Sequence, residues 1–190
     1  MKTLLISVKI FLTFTILTGI IYPLFITGIA QVFFPVKANG SMVIRNGHIV
    51  GSEQIGQQFD SNVYFTSRPS AVSYNPMPSG GSNYGLTNVK LKEQVNARKH
   101  NFYSFNQLDS LKEIPSEMLF ASGSGLDPHI SPQAALLQVD RIAKARNFTD
   151  IQKQKLLDCV QNLTEGPQFL CLGEKRINVL LLNLEADKIQ

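Results

Sequence analysis

Three short stretches hold side chains able to do chemistry. Asp127 and His129 flank Pro128 and could act as two metal ligands or as an acid and base pair. A metal site needs three or four converging ligands, and the other histidines, His48 and His100, stand elsewhere in the chain. The plainer reading is a turn started by Asp127-Pro128, with His129 hydrogen-bonding in a packed loop. Ser122 and Ser124 alternate with Gly123 and Gly125, an order that departs from the Gly-x-Ser-x-Gly elbow of serine hydrolases. The third stretch, Ser79-Gly80-Gly81-Ser82, has backbone N–H groups that could approach a phosphate closely. No GxxxxGK[ST] loop accompanies it, and Gly and Ser serve equally as a structural turn. These four residues are the nucleotide candidates of the chain.

Cys159 and Cys171 fall short of a zinc site, which takes about four ligands at set spacings. They could bridge in an oxidising compartment or stay as unpaired buried thiols.

The elements that must position these residues divide sharply at the N-terminus. From Ile10 to Phe34 run 25 residues without Asp, Glu, Lys, Arg or His. As a helix they span roughly 37 Å at about 1.5 Å per residue, more than the ~30 Å hydrocarbon core of a bilayer. The segment 1–34 therefore reads as a transmembrane anchor. A cleaved signal peptide, ending near Val36-Lys37-Ala38, would have an apolar stretch of only about 7–15 residues. Within the anchor Thr15, Gly19, Pro23 and Thr27 recur every four residues and lie near one helix face. Small residues there let another membrane helix approach, although Gly and Pro are common in such helices anyway.

Lys2, Lys9 and the α-amine precede the anchor, against Lys37 and then Arg45 after it, so the charge bias places the N-terminus inside. Residues 35–190 would then face outward. Of 18 basic residues, two precede the apolar run; the remaining 16 nearly balance 14 acidic ones. No arginine-rich run or aromatic-basic stripe points to nucleic acid.

The outer part reads as one small α+β domain. Pro35 stops the anchor helix and a polar linker, Lys37 to Ser41, follows. Asn46-Gly47 between two apolar runs predicts a hairpin over Met42–Val50. The segment Phe65 to Gly85, rich in Pro, Gly, Ser and Asn, predicts a long loop ordered by Tyr64, Phe65, Tyr74 and Tyr84. A helix capped by Thr87 or Asn88 follows, with Leu91, Val95 and Phe102 inward and Lys90, Lys92, Arg98 and Lys99 on a solvated face. Met118 to Ala121 reads as a short buried strand. Ser131-Pro132 opens a helix to about Arg146, and Thr149 with Gln152 forms a capping box for another through Val160. Ile177 to Leu184 reads as a strand buried on both faces.

Four ordered segments carry a resemblance. They are Gly51-Ser52 with Ile55-Gly56-Gln57 and Phe59; Tyr64 to Ala71 with Ser79-Gly80-Gly81-Ser82-Asn83; Ala121 to Pro132, running into Ala134-Ala135 and Gln138-Val139; and Asn178-Val179-Leu180 with Leu182-Asn183-Leu184. With the anchor they cover nearly the whole chain, and the chain so resembles the C subunit of the Kdp-type potassium-transporting ATPase. The resemblance implies a single-pass protein of the bacterial cytoplasmic membrane with its domain on the outer face. It implies an accessory subunit without catalysis of its own, viewed in the family as an assembly factor and as a catalytic chaperone that raises nucleotide affinity. The implied partners are a channel-like potassium-translocating subunit, a P-type ATPase subunit, a very small single-span subunit and the lipid bilayer. ATP and K⁺ are then handled by the complex, with no cofactor or metal held by this chain. Residues matching the family motifs, and so candidates for partner contact, are Arg68, Pro69, Ser70, Asn83, Ser124, Gly125, Asp127, His129, Gln138, Asn178 and Asn183. A different class of reading is a stand-alone, membrane-anchored enzyme or binding protein outside the cytoplasm.

Overall fold

The structure, a computed structural model, describes residues 1–169 and 171–189. The chain divides into two units, Met1–Val50 and Gly51–Gln190.

One helix of 32 residues, Lys2–Phe33, dominates the first unit and is long and apolar enough to cross a membrane. It runs as α1 (Lys2–Ile16), one π turn (Leu17–Ile21) and α2 (Tyr22–Phe33). The π turn answers to Pro23, which has no N–H to donate and whose ring crowds the carbonyl four residues back. Just before it, Tyr22 N–H reaches Leu17 O, five residues back, so the ladder widens ahead of the proline. A π turn winds each residue through a smaller angle than an α turn. That offsets the drift of a four-residue spacing and helps Thr15, Gly19, Pro23 and Thr27 share a face. Thr15 and Thr27 each turn the hydroxyl back onto the carbonyl four residues earlier, Phe11 O and Pro23 O, both at 2.8 Å. A hydroxyl satisfied in this way can sit in hydrocarbon without a partner helix.

The anchor helix ends at Phe33, just ahead of Pro35 as expected. Phe34 leaves helical geometry at φ −137°, and Pro35 then occupies the first turn of α3 (Pro35–Ala38). Proline is suited to that position because the first-turn N–H has no intrahelical partner to lose. The expected polar linker is therefore partly helical, and the side-chain amides of Gln31 and Asn39 bond reciprocally at 3.2 and 3.3 Å. Next come β1 (Met42–Arg45) and β2 (His48–Ser52), joined as the Asn-Gly pair predicts. Asn46 and Gly47 have φ of 52° and 78°, both positive, as a type I′ turn requires.

The second unit is mixed α and β with helices in the majority. Its first strandless stretch, residues 53–88, leads to α4 (Val89–Asn106), capped by the Asn88 side chain on Lys90 N. Then follow a 3₁₀ turn (Ser116–Met118), β3 (His129–Ile130), α5 (Pro132–Ala145), α6 (Asp150–Asn162), β4 (Ile177–Asn178) and α7 (Val179–Ala186). β3 and β4 pair antiparallel, with His129 opposite Asn178 and Ile130 opposite Ile177. The capping box at Thr149 and Gln152 is present in both directions.

Two strand expectations fail. Around Met118 the chain forms the 3₁₀ turn, started by Pro115, and Met118 alone of that turn is buried. From Ile177 only two residues are strand, because the Asn178 side chain accepts Leu181 N at 3.2 Å and starts α7. An apolar run this short cannot be divided between strand and buried helix by periodicity. The cap decides it here, and a helix apolar nearly all round must be buried.

α5 is the spine of the core. Ala134, Ala135, Val139 and Ile142 on one side of it pack with Leu156 and Val160 of α6, Val179, Leu182 and Ala186 of α7, and Phe102 of α4. Ile130 and Ile177 close the core from the small sheet, and Phe65 is fully buried within it.

Candidate functional site

Segment 62–67 crosses the helical core without secondary structure of its own, so its backbone groups need partners from side chains. Polar residues on the inward faces of α5 and α7 supply them. Asn183 accepts Phe65 N at 2.7 Å and donates to Phe65 O at 3.0 Å. Gln138 Oε1 accepts Thr66 N at 2.8 Å and the Thr66 hydroxyl at 3.0 Å. Arg141 donates to Asn62 O and Tyr64 O, and Arg146 to Val63 O at 2.8 Å and Ala186 O at 3.0 Å. Arg146 also pairs with Asp187 at 2.9 Å and stands 5.2 Å from the centre of the Tyr64 ring.

The first of the motif segments is tied in at the small sheet. Asn178 Nδ2 donates to Glu53 O at 2.7 Å, and Gly56 N donates to Leu126 O at 2.7 Å. A Cβ on Gly56 would stand 2.5 Å from Asp127 O, so that approach requires glycine. Val179 N donates to Pro128 O at 2.9 Å, which joins the start of α7 to the same turn.

The two glycine-rich stretches pack on each other. Gly80 N donates to Ser124 O at 2.9 Å, and Ser122 N to Pro69 O at 3.3 Å. Gly125 has φ of 71°, and a Cβ there would meet Val72 Cγ2 at 2.7 Å and Gly80 O at 2.8 Å. Ser70 Oγ accepts both Val72 N and Tyr74 N, and the Tyr74 hydroxyl donates to Arg68 O at 2.6 Å. Burial, then the charge of Asp60, pushes the Tyr74 phenol up to about 12. Ser79 and Asn83 are exposed, and Asn83 takes a positive φ of 54°.

Asp127 is the hinge between these parts. Its Oδ2 receives Arg68 Nη1 at 2.7 Å and its Oδ1 receives His129 N at 3.0 Å, with His129 Nδ1 at 3.6 Å. Burial alone would raise its pKa, but the hydrogen bonds from His129 and the charge of Arg68 outweigh it. The carboxyl is held below its ordinary value. The turn closed by Asp127 on His129 N is the plainer of the two sequence readings. Among the described residues no group of three His, Cys, Asp or Glu side chains converges as a metal site would.

The structure thus brings Arg68, Pro69, Ser70, Gly80, Gly81, Ser124, Gly125, Asp127, His129, Gln138, Asn178 and Asn183 into one connected polar scaffold. Cys159 and Cys171 are free, the former half-buried and the latter exposed. Burial and then the nearby Glu185 carboxylate push the Cys159 thiol up. Sequence reasoning missed Arg141, Arg146 and Asn106, whereas Tyr74 orders its loop as expected. A signal existed for the first: Gln138 and Arg141 stand three residues apart among Ala135, Val139 and Ile142, polar groups on an apolar stripe.

A protein-family model described as KdpC, K⁺-transporting ATPase, c chain, matches residues 4–188. Among curated relatives named potassium-transporting ATPase KdpC subunit, that of Leptospira interrogans is 46% identical over 182 residues, covering 96% of this chain and 92% of the relative. The Koribacter versatilis protein is 46% identical over 191 residues, covering 100% and 96%, and that of Caldanaerobacter subterraneus 45% over 178 residues, covering 94% and 91%. With matches of this extent across both the apolar helix and the polar scaffold, the chain belongs to the KdpC family of K⁺-transporting ATPase subunits.

Proposed function

We propose that the chain is a non-catalytic accessory subunit of an ATP-driven, high-affinity potassium import complex in a bacterial cytoplasmic membrane. Its N-terminus faces the cytoplasm and residues 35–190 face outward, the orientation supported by Lys2 and Lys9 before the uncharged run. The observation that carries this reading is the family match along residues 4–188, which takes in the membrane helix and the outer unit together. The partners are a channel-like potassium-translocating subunit, a P-type ATPase subunit and a very small single-span subunit.

Within that complex the helix docks through the face of Thr15, Gly19, Pro23 and Thr27, and the outer unit covers the ion entrance of the channel-like subunit. One observation favours this over direct nucleotide contact. In the Ser79–Ser82 stretch, the Gly80 N–H that a phosphate would need is spent on Ser124 O. The chain then alters ATP affinity only by binding the ATP-competent state of its partner better, by linkage through subunit contacts. The exposed edges of the scaffold around Arg68, Asn83, Ser124 and His129 are the proposed contact region.

The test is to purify the full chain in detergent, alone and with the other subunits, and assay ATP hydrolysis and nucleotide binding. The chain alone should do neither, while the assembled complex hydrolyses ATP in response to K⁺. Turnover by the chain alone would overturn the proposal.

A further inference from the structure

Arg141 is 4% exposed on α5. A guanidinium so buried keeps its charge only where protein oxygens replace water. Four do: Asn106 Oδ1 accepts from Nε at 2.9 Å, Asn62 O from Nη1 at 2.5 Å, and Tyr64 O and Gln138 Oε1 from Nη2 at 2.9 and 3.0 Å. The Phe105 ring lies 4.4 Å from the guanidinium carbon. Every one of these partners is neutral. Arg68 and Arg146, the other two arginines of the scaffold, each pair with an aspartate, Asp127 and Asp187. Among the described residues no carboxylate lies within ion-pair distance of Arg141, and the fifth guanidinium N–H, on Nη1, has no acceptor.

A cavity of about 280 Å³ opens beside it, lined by Asn62, Phe105, Gln107, Arg141, Lys144 and Ala145. Lys144 is held at its border by Gln107 Oε1, 2.9 Å from Nζ. A second cavity of about 300 Å³ shares Arg141 and Lys144 and adds Lys112, Asp109 and Asp140. Both of those acids are engaged elsewhere: Asp140 takes Lys153 Nζ at 2.6 Å, and Asp109 Oδ1 accepts Leu111 N at 3.1 Å. The first cavity is therefore a cleft bordered by two cations, Arg141 and Lys144, with no acid among its lining residues, whereas both acids line the adjoining one.

We propose that this cleft is a carboxylate-binding site, in which the free Nη1–H of Arg141 and the ammonium of Lys144 hold one acidic group. A single negative charge fits better than a phosphate. It balances the buried guanidinium, whereas a dianion would meet Asp109 and Asp140 across the same two cations. The carboxylate has two possible sources, a small organic acid in solution or an acidic side chain of another subunit. The second source rests on the accessory-subunit reading; the first does not.

The probe is acetate, titrated against the full chain in detergent at ionic strength matched with sodium chloride, with unfolding followed by circular dichroism. Ligand that binds only the folded state raises Tm in a saturable way. The wild-type chain should show such a rise, and Lys144→Met, at an exposed position that leaves the core intact, should lose it. Arg141→Met should lose it too if it folds. No acetate-specific rise in the wild type, or one that survives Lys144→Met, would overturn the site. The source is then read from assembly. If a partner supplies the carboxylate, acetate has no effect on the assembled complex and Lys144→Glu lowers co-purification at least about tenfold, a change of about 1.4 kcal/mol. If the source is a free acid, the acetate response persists in the complex and Lys144→Glu co-purifies as the wild type does.

Discussion

Asn183 of α7 holds both backbone groups of Phe65, accepting its N–H at 2.7 Å and donating to its carbonyl at 3.0 Å across 118 positions of sequence. The side-chain amide replaces a missing strand, pairing one residue of an irregular segment as a β neighbour would. Phe65 itself is fully buried, so the contact fixes a large apolar side chain and its backbone together.

Removing that amide leaves two buried backbone groups unpaired, each costing about 1–3 kcal/mol. Asn183→Ala should therefore lower stability by about 2–5 kcal/mol in urea unfolding of the full chain. Asn183→Asp, which buries a carboxylate with one oxygen against the Phe65 carbonyl, should cost at least as much as the alanine at neutral pH. Equal stability of all three proteins would remove Asn183 from the scaffold.

The glycine stretch offers a matched pair. A Cβ at Gly125 meets Val72 and the Gly80 carbonyl at a φ of 71°, whereas one at Gly123 meets nothing within 4 Å. Gly125→Ala should cost roughly 2–4 kcal/mol through strain and overpacking, and Gly123→Ala under about 1 kcal/mol. Comparable Tm losses for the two would show that the packing of these loops on each other is unimportant.

Asp127 makes the fold acid-sensitive. Its folded pKa lies below the unfolded value, so its stabilising contribution is full above the unfolded pKa and is lost as pH falls through the folded one. Asp127→Asn should lower Tm at neutral pH and flatten the decline of Tm in the acid range. An unchanged acid slope in the variant would assign that decline to other carboxylates.

On the membrane helix, Gly19 has open space around its α carbon. Gly19→Leu should therefore leave the isolated chain folded, with unaltered helix content, yet reduce its co-purification with the other membrane subunits. Full recovery of the complex with the variant would place the docking face elsewhere on the helix.

Local chemistry was legible wherever it rested on one or two residues. The Asn46-Gly47 hairpin, the Ser131-Pro132 start of α5 and the Thr149-Gln152 capping box all follow from hydrogen bonds within a turn of chain. The helix from Val179 was hidden because its leucines fit a buried strand equally well, and only the Asn178 cap separates the two. The polar scaffold was legible as a set of residues but not as an arrangement. Asn183, Gln138 and Asn178 were marked by resemblance, whereas their work, bonding the backbone of a distant loop, depends on tertiary contacts that no local pattern encodes. Arg141 and Arg146 went unremarked, because arginine on a helix is usually a solvated charge. Pro35 was rightly read as a terminator, and what the sequence reading lacked is that it also starts the next short helix.

The central claim is that the chain serves potassium import as a subunit without chemistry of its own. Its most direct test is K⁺ uptake into vesicles holding the complex assembled with and without this chain, at low external K⁺. Vesicles lacking the chain should show no ATP-driven uptake, and assembly with the chain should restore it. Equal uptake in its absence would contradict the account.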